Sequence, residues 1–181
     1  EGFLMKLVVI GGVTGGASTA ARVRRLDASA EIIMFERGEH VSFSNCALPY
    51  YLGGVVESSD SLLVVTPEDF KKKHDIEVRT KSEITAINRE KKTVTVKELI
   101  SGKEYEESYD KLMLAPGASP ILPKSIKGIE SSNVFTVRKI FFPRKCAKSK
   151  ASRISLCVKF FANARAPNLS PPDTLHLPLH L

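Results

Sequence analysis

The chain has 181 residues, a formal net charge of +7 and three cysteines. That length supports a buried core without disulfide or metal staples, and with no run of eighteen apolar residues nothing reads as a membrane-spanning helix. The basic excess lies wholly in residues 139–181, which hold eight Lys and Arg against one acid, Asp173, while residues 1–138 balance at nineteen of each sign, so the balanced part carries no nucleic-acid signal.

The opening EGFLMKLVVIGG lacks the basic flank of a signal peptide, and residues 1–4 are left out of the fold reading. KLVVI (6–10) is a short β-branched apolar run and predicts a buried parallel strand. GGVTGG follows, and ASTAARVRRLD (17–27) places Ala, Val and Leu at helical spacing with Arg on the other side. AEIIMFE (30–36) predicts a second buried strand and completes a right-handed βαβ unit. TPEDFKKKH (66–74) predicts a helix with Thr66 as N-cap, Pro67 at the first helical position and Glu68 and Asp69 in the first turn. SEITAINRE and KTVTVKEL alternate apolar and polar residues and predict a β-hairpin. ESYDKLMLAPGASP (107–120) contains another apolar strand that ends at Pro-Gly, and NVFTV (133–137) predicts one more. Beyond Arg138 the chain has five of its ten prolines, no glycine and no sustained period. There ISLCVKFFA fits a short strand or helix, and the last fifteen residues are expected to be unfolded or peripheral.

A glycine loop between a strand and a helix aims backbone N–H groups at a helix N-terminus, where partial positive charge suits a pyrophosphate. Gly11 takes the first position of the dinucleotide pattern and Gly16 the third, while Val13 stands where the second glycine is usual. Gly12 and Gly15 add freedom, and Ala20 suits close packing of the helix on the strand. Glu36, at the end of the second strand, is placed to hydrogen-bond an unphosphorylated adenosine ribose. The carboxylate argues against NADP and does not separate FAD from NAD.

Cys46, in VSFSNCALPYYLGG, has no second cysteine nearby and reads as a packing residue, a metal ligand or a working thiol. Cys146 and Cys157 read as structural; no cysteine has metal-ligand spacing, so no metal is expected, and the usage fits a reducing, cytoplasmic compartment. Tyr50 and Tyr51 are expected to pack in the core, Lys71–Lys73 to form a solvated helix end, and Lys73, His74 and His40 are minor candidates for substrate or proton contacts.

KLVVIGGVTGGASTAARVRRLD, IIMFERGEHVSFSNCALPYYLGG, LLVVTPEDF and YDKLMLAPGASP occur in that order, and together they resemble the N-terminal FAD-binding half of the pyridine nucleotide-disulfide oxidoreductases. The resemblance covers about residues 5–138 and points to the single-cysteine branch, with its coenzyme A-disulfide reductases, NADH oxidases and peroxidases. It implies an α/β fold: an incomplete Rossmann-like FAD-binding domain over 5–138, with a parallel sheet, a βαβ unit and a β-hairpin or meander, then an irregular basic, Pro-rich tail over 139–181. It implies FAD contacts from Gly11, Gly12, Gly15, Gly16, Glu36, Arg37, Ala115 and Gly117. Cys46 matches the redox cysteine, which is expected to begin a helix. Ser42 and Asn45 match polar residues that flank the thiol and touch substrate, and Arg22 and Arg25 match the side that holds a coenzyme A phosphate. A full-length parent is expected to use NAD(P)H as co-substrate, to act on a small-molecule disulfide, peroxide or oxygen, and to be a homodimer that binds neither nucleic acid nor membrane.

Such a parent also has a second glycine loop for NADH, a return to the FAD domain and a dimerisation domain. Residues 139–181 contain no glycine, so the tail is expected to be a frameshifted or truncated end. The functional readings are an FAD-dependent reductase or oxidase fragment, a non-catalytic flavin-binding remnant, and a binding module that uses the basic tail on nucleic acid or anionic membrane.

Overall fold

The computed structural model describes residues 4–52, 54–131, 134 and 136–138, together with the backbone of 174–176. The elements in chain order are β1 (Lys6–Ile10), α1 (Thr14–Leu26), β2 (Glu31–Phe35), a 3-10 turn (Asn45–Ala47), α2 (Leu48–Leu52), a second 3-10 turn (Ser59–Leu62) and α3 (Pro67–His74). Six strands follow: β3 (Glu77–Arg79), β4 (Ser82–Asn88), β5 (Thr93–Glu98), β6 (Glu104–Ser108), β7 (Lys111–Leu114) and β8 (Thr174–His176). They fall in two compact units, one of Glu1–Phe43, Val65–Gly117 and Asn168–Leu181, the other of Ser44–Val64 and Ala118–Pro167.

The first unit is built on a parallel sheet in the order β3-β2-β1-β7. The period-2 alternation of its strands divides the core. Leu7, Val9, Ile32 and Met34 face a cluster with Ala17 and Ala20 of α1 and Phe70 of α3. Val8, Ile10, Ile33 and Phe35 face a second cluster with Ile84, Ile87, Val94 and Val96. Apolar side chains are needed on both faces, which is why KLVVI and EIIMF read as unbroken runs rather than as alternating ones. Burial of each such side chain contributes about 1.5–3 kcal/mol. α3 forms as its sequence predicts: the Thr66 side chain accepts from the Asp69 N–H at 3.2 Å, Pro67 opens the helix, and Asp75 ends it in the left-handed region at φ 46°.

The second sheet of this unit is antiparallel, in the order β6-β5-β4-β8. β4 and β5 form the expected hairpin, with a bulge between Ile84 and Ala86. β6, the EYEES segment, was not legible because its residues are mostly polar; it pairs with β5 after the tight turn at Gly102, φ 73°. Thr174–His176 lie in the stretch expected to be unfolded and pair with β4 instead, since an edge strand offers unpaired N–H and C=O groups to any extended segment. NVFTV falls partly outside the described residues, and its described positions 134, 136 and 137 lie in no strand. ISLCVKFFA lies wholly outside them.

Charged groups tie the two sheets. The Arg79 guanidinium lies over the rings of Phe35 and Tyr105, 5.3 and 5.8 Å from their centroids, and donates to Glu77 and Glu107 at 2.6 Å each. Lys6 bonds the other side of Glu107 at 2.7 Å. Burial opposes the charge of Glu107, but hydrogen bonds from Lys6 and Arg79 hold its carboxyl below the ordinary range. Burial likewise opposes the charge of Arg79, and bonds to Glu77, Glu107 and Tyr105 outweigh it and raise its pKa.

Candidate functional site

The β1–α1 loop is folded around two glycines that leave no room for a side chain. Gly11 has φ +95°, and a Cβ there would lie 2.0 Å from the Ala115 carbonyl oxygen. A Cβ on Gly16 would lie 1.7 Å from the Gly11 carbonyl oxygen. The end of β7, the loop and the start of α1 therefore meet backbone to backbone, and Ala115 donates its N–H to Ile10 at 2.8 Å. This contact brings LAPG to the glycine loop. Gly117, at φ 77°, turns the chain away after it.

Val13 is the residue before α1, at φ −90° and ψ −123°. No side chain caps the helix and no acid stands in its first turn. The leading N–H groups of this 13-residue helix have no intrahelical carbonyl, and its N-terminus suits an anion in both geometry and charge. A dinucleotide pyrophosphate fits that donor set.

Glu36 braces the loop from the end of β2. Its Oε2 accepts from the Gly12 N–H at 2.8 Å and its Oε1 from the Gly38 N–H at 2.6 Å. The Gly12 carbonyl in turn accepts from the Ser42 N–H at 2.9 Å, and Ser42 sits at φ 47°. A Cβ on Gly12 would meet Val41 Cγ1 at 2.6 Å, so the loop lies tight against this segment. Each carboxylate oxygen keeps a second acceptor direction, which leaves Glu36 able to bond a ribose hydroxyl. Beside it, an open cleft of about 80 Å³ within the first unit is lined by Gly11, Phe35, Glu36, Arg37, Glu83 and Pro116, among others. Arg37 Nη1 lies 3.3 Å from Glu83 Oε1. Ligand pockets run to roughly 300–1,000 Å³, so this cleft suits one end of a dinucleotide rather than the whole.

The structure thus gathers Gly11, Gly12, Gly15, Gly16, Glu36, Arg37 and Ala115 about one loop. Glu83 was missed, because nothing in its local sequence shows that β4 starts beside β2. Arg22 and Arg25 are exposed on α1. Arg24, between them, turns inward: it donates to the carbonyls of His74 and Asp75 at 2.9 Å each and to Ala28 at 2.5 Å. It pins the ends of α1 and α3, a role its position in an Arg run did not reveal.

Ser42 belongs to the first unit, and Asn45 and Cys46 to the second. Cys46 does not begin an α-helix. It lies within the 3-10 turn Asn45–Ala47, ahead of the five-residue helix Leu48–Leu52, and both it and Asn45 are exposed. The Ser44 N–H donates to Leu62 at 2.8 Å, and Leu48 and Leu62 are buried while the thiol is not. The exposed thiol is not packed with Leu48 and Leu62. Among the described residues no group of His, Cys, Asp or Glu is arranged to hold a metal. Tyr50, expected in the core, is 60% exposed. Lys73 pairs with Asp69 at 2.9 Å and His74 lies against Phe70, so both serve α3. Among the described residues no helix is long and apolar enough to cross a membrane.

The family described as Pyridine nucleotide-disulphide oxidoreductase matches residues 5–153. A coenzyme A disulfide reductase of Staphylococcus aureus (strain JH9) is 48% identical over 135 residues, 75% of this chain and 30% of that protein. Reduced CoADR-RHD of Bacillus anthracis superposes with a TM-score of 0.76 at 48% identity, over 80% of this chain and 26% of the other. A NAD-dependent persulfide reductase from A. fulgidus gives 0.74 at 40% identity, over 79% and 27%. A water-forming NADH oxidase from Lactobacillus brevis, bound to NADH, gives 0.72 at 32% identity, over 79% and 31%. The chain spans about 30% of the length of the curated relatives it matches.

Proposed function

This chain belongs to the pyridine nucleotide-disulphide oxidoreductase family, and from that premise we propose that residues 5–138 form the FAD-binding part of an NAD(P)H-dependent disulfide reductase whose redox thiol is Cys46. The observation that carries the reading is the uncapped N-terminus of α1 with Glu36 braced beside it, a built anion site with a ribose acceptor at its edge. Gly11, Gly12, Gly15 and Gly16 would admit the pyrophosphate, Glu36 and Arg37 the adenosine end, and Ala115 and Gly117 the stretch beyond. FAD, when bound, supplies a two-electron carrier between a nicotinamide and sulfur.

Cys46 supplies the sulfur chemistry. Its thiolate attacks one sulfur of a small disulfide such as coenzyme A disulfide, the S–S bond breaks, and one thiolate leaves as the mixed disulfide forms. Two electrons and a proton then restore the Cys46 thiolate and release the second thiol. Exposure of Cys46 in a short turn supports access by such a substrate. Ser42 and Asn45 are read as substrate contacts, and the exposed Arg22 and Arg25 as partners for its phosphates. Homodimerisation of the longer protein belongs to the same reading.

A second reading has support from the similarity to the water-forming NADH oxidase: Cys46 would cycle through a sulfenic acid, with peroxide or oxygen as acceptor. Two measurements test these proposals. Added FAD should stay with the purified chain as a flavin absorbance band; a chain that takes up no flavin sinks both. Peptide mass mapping after exposure to coenzyme A disulfide should place the adduct on Cys46 and find it gone in Cys46→Ser. Equal adducts on Cys146 and Cys157 refute a dedicated thiol. A dimedone adduct on Cys46 after peroxide, without a coenzyme A adduct, favours the oxidase reading.

A further inference from the structure

We propose that Glu83 is a specificity residue of the cleft, set to reject adenine dinucleotides that carry a phosphate on the 2′ position of the adenosine ribose. The inference rests on the reading of this cleft as the adenosine end of the cofactor site. Its starting point is Arg37. A guanidinium next to the ribose is a natural phosphate partner, since its planar fork bonds phosphate oxygens in pairs. Beside a dinucleotide loop, an arginine in that place accommodates a 2′-phosphate. Glu36 already disfavours a 2′-phosphate, but with the adjacent Arg37 it sums to zero charge, so the pair alone does not repel one.

Glu83 changes the balance. The chain around Glu36 runs beside the start of β4: the Glu36 N–H donates to the Arg79 carbonyl at 2.9 Å, the Ser82 N–H to the Glu36 carbonyl at 3.1 Å, and the Lys81 N–H to the Gly38 carbonyl at 3.0 Å. This pairing delivers the Glu83 carboxylate to Arg37, at 3.3 Å. Both side chains are less than a third exposed, at 31% for Arg37 and 24% for Glu83. Glu36 is meanwhile committed to the N–H groups of Gly12 and Gly38. The charged residues lining the cleft are then two acids and one arginine, a net negative set, and the guanidinium is already engaged by the Glu83 carboxylate. FAD and NADPH share an ADP core, so a loop that reads only the pyrophosphate does not separate them. The extra carboxylate does.

The test is calorimetric titration of ADP-ribose and of 2′-phospho-ADP-ribose into the wild-type chain and into Glu83→Gln. The readout is the ratio of the two affinities, which a general weakening of the site leaves unmoved. Wild type should prefer ADP-ribose, and Glu83→Gln should narrow that preference on the order of ten-fold at low salt. The wild-type preference should itself shrink as salt rises from about 0.02 to 0.2 M, because a charge effect at partly exposed groups is screened over that range. An affinity ratio equal in the two proteins overturns the role of Glu83 while leaving the cofactor reading intact. Failure of wild type to bind either ligand overturns both. If Glu83→Gln does not fold, a wild-type preference that is absent or indifferent to salt overturns the proposal.

Discussion

Alanine at the two neighbouring glycines in the first turn of α1 should act with opposite sign. Neither Gly15 nor Gly16 has a positive φ, so backbone conformation does not forbid a side chain at either position. On propensity alone each substitution gains up to about 1 kcal/mol, the cost of glycine in a helix. Space separates them. A Cβ on Gly15 finds its nearest neighbour, the Ala115 Cβ, at 3.4 Å, which is ordinary contact. A Cβ on Gly16 lies 1.7 Å from the Gly11 carbonyl oxygen and 3.0 Å from Val9 Cγ1. The oxygen belongs to a backbone turn locked against Ala115, so relief requires the whole loop to move. Overpacking costs of about 1–3 kcal/mol, and more against rigid backbone, exceed the propensity gain. Gly16→Ala should therefore lose about 2 kcal/mol, and Gly15→Ala should hold or gain up to about 0.5 kcal/mol. Urea unfolding followed by circular dichroism reads this directly, since about 2 kcal/mol moves the midpoint by about 1 M. Equal midpoints for the two variants would refute the packing argument.

Removing the Arg24 side chain should destabilise the chain by about 1 kcal/mol, because the part-buried His74 carbonyl and the exposed Asp75 and Ala28 carbonyls lose a charged donor, and water replaces it at the exposed ones. Arg24→Lys should restore little of it, as one ammonium cannot span both helix ends; full recovery in a thermal melt would sink the idea. Glu107 should shape the acid limb of stability. Its folded pKa is depressed, so its contribution is present above the ordinary value of 4.5 and is lost as pH falls through the lower folded value. Glu107→Gln should be less stable at neutral pH and lose less on acidification below about pH 4.5; parallel wild-type and variant profiles would contradict this.

The elements that were legible in sequence share one property: their signal is local. KLVVI and EIIMF announce strands because both faces are buried, and TPEDFKKKH announces a helix because its cap and first turn carry their own chemistry. Gly11 and Gly16 were found by spacing, and the structure supplies the steric reason. What was hidden depends on partners distant in the chain. EYEES is a strand only because β5 lies beside it, Arg24 is a clamp only because α3 ends near it, and Glu83 meets Arg37 only because β4 starts alongside residues 36–38. The turn that carries Cys46 is too short for any periodic signal.

Gly12 is held on both sides, its N–H by Glu36 and its carbonyl by Ser42. The entropy of ordering this part of the loop, about 1–2 kcal/mol for each residue fixed, is therefore met when the chain folds. An arriving anion finds donors already preorganised, and its affinity is not reduced by having to tame a loose glycine loop.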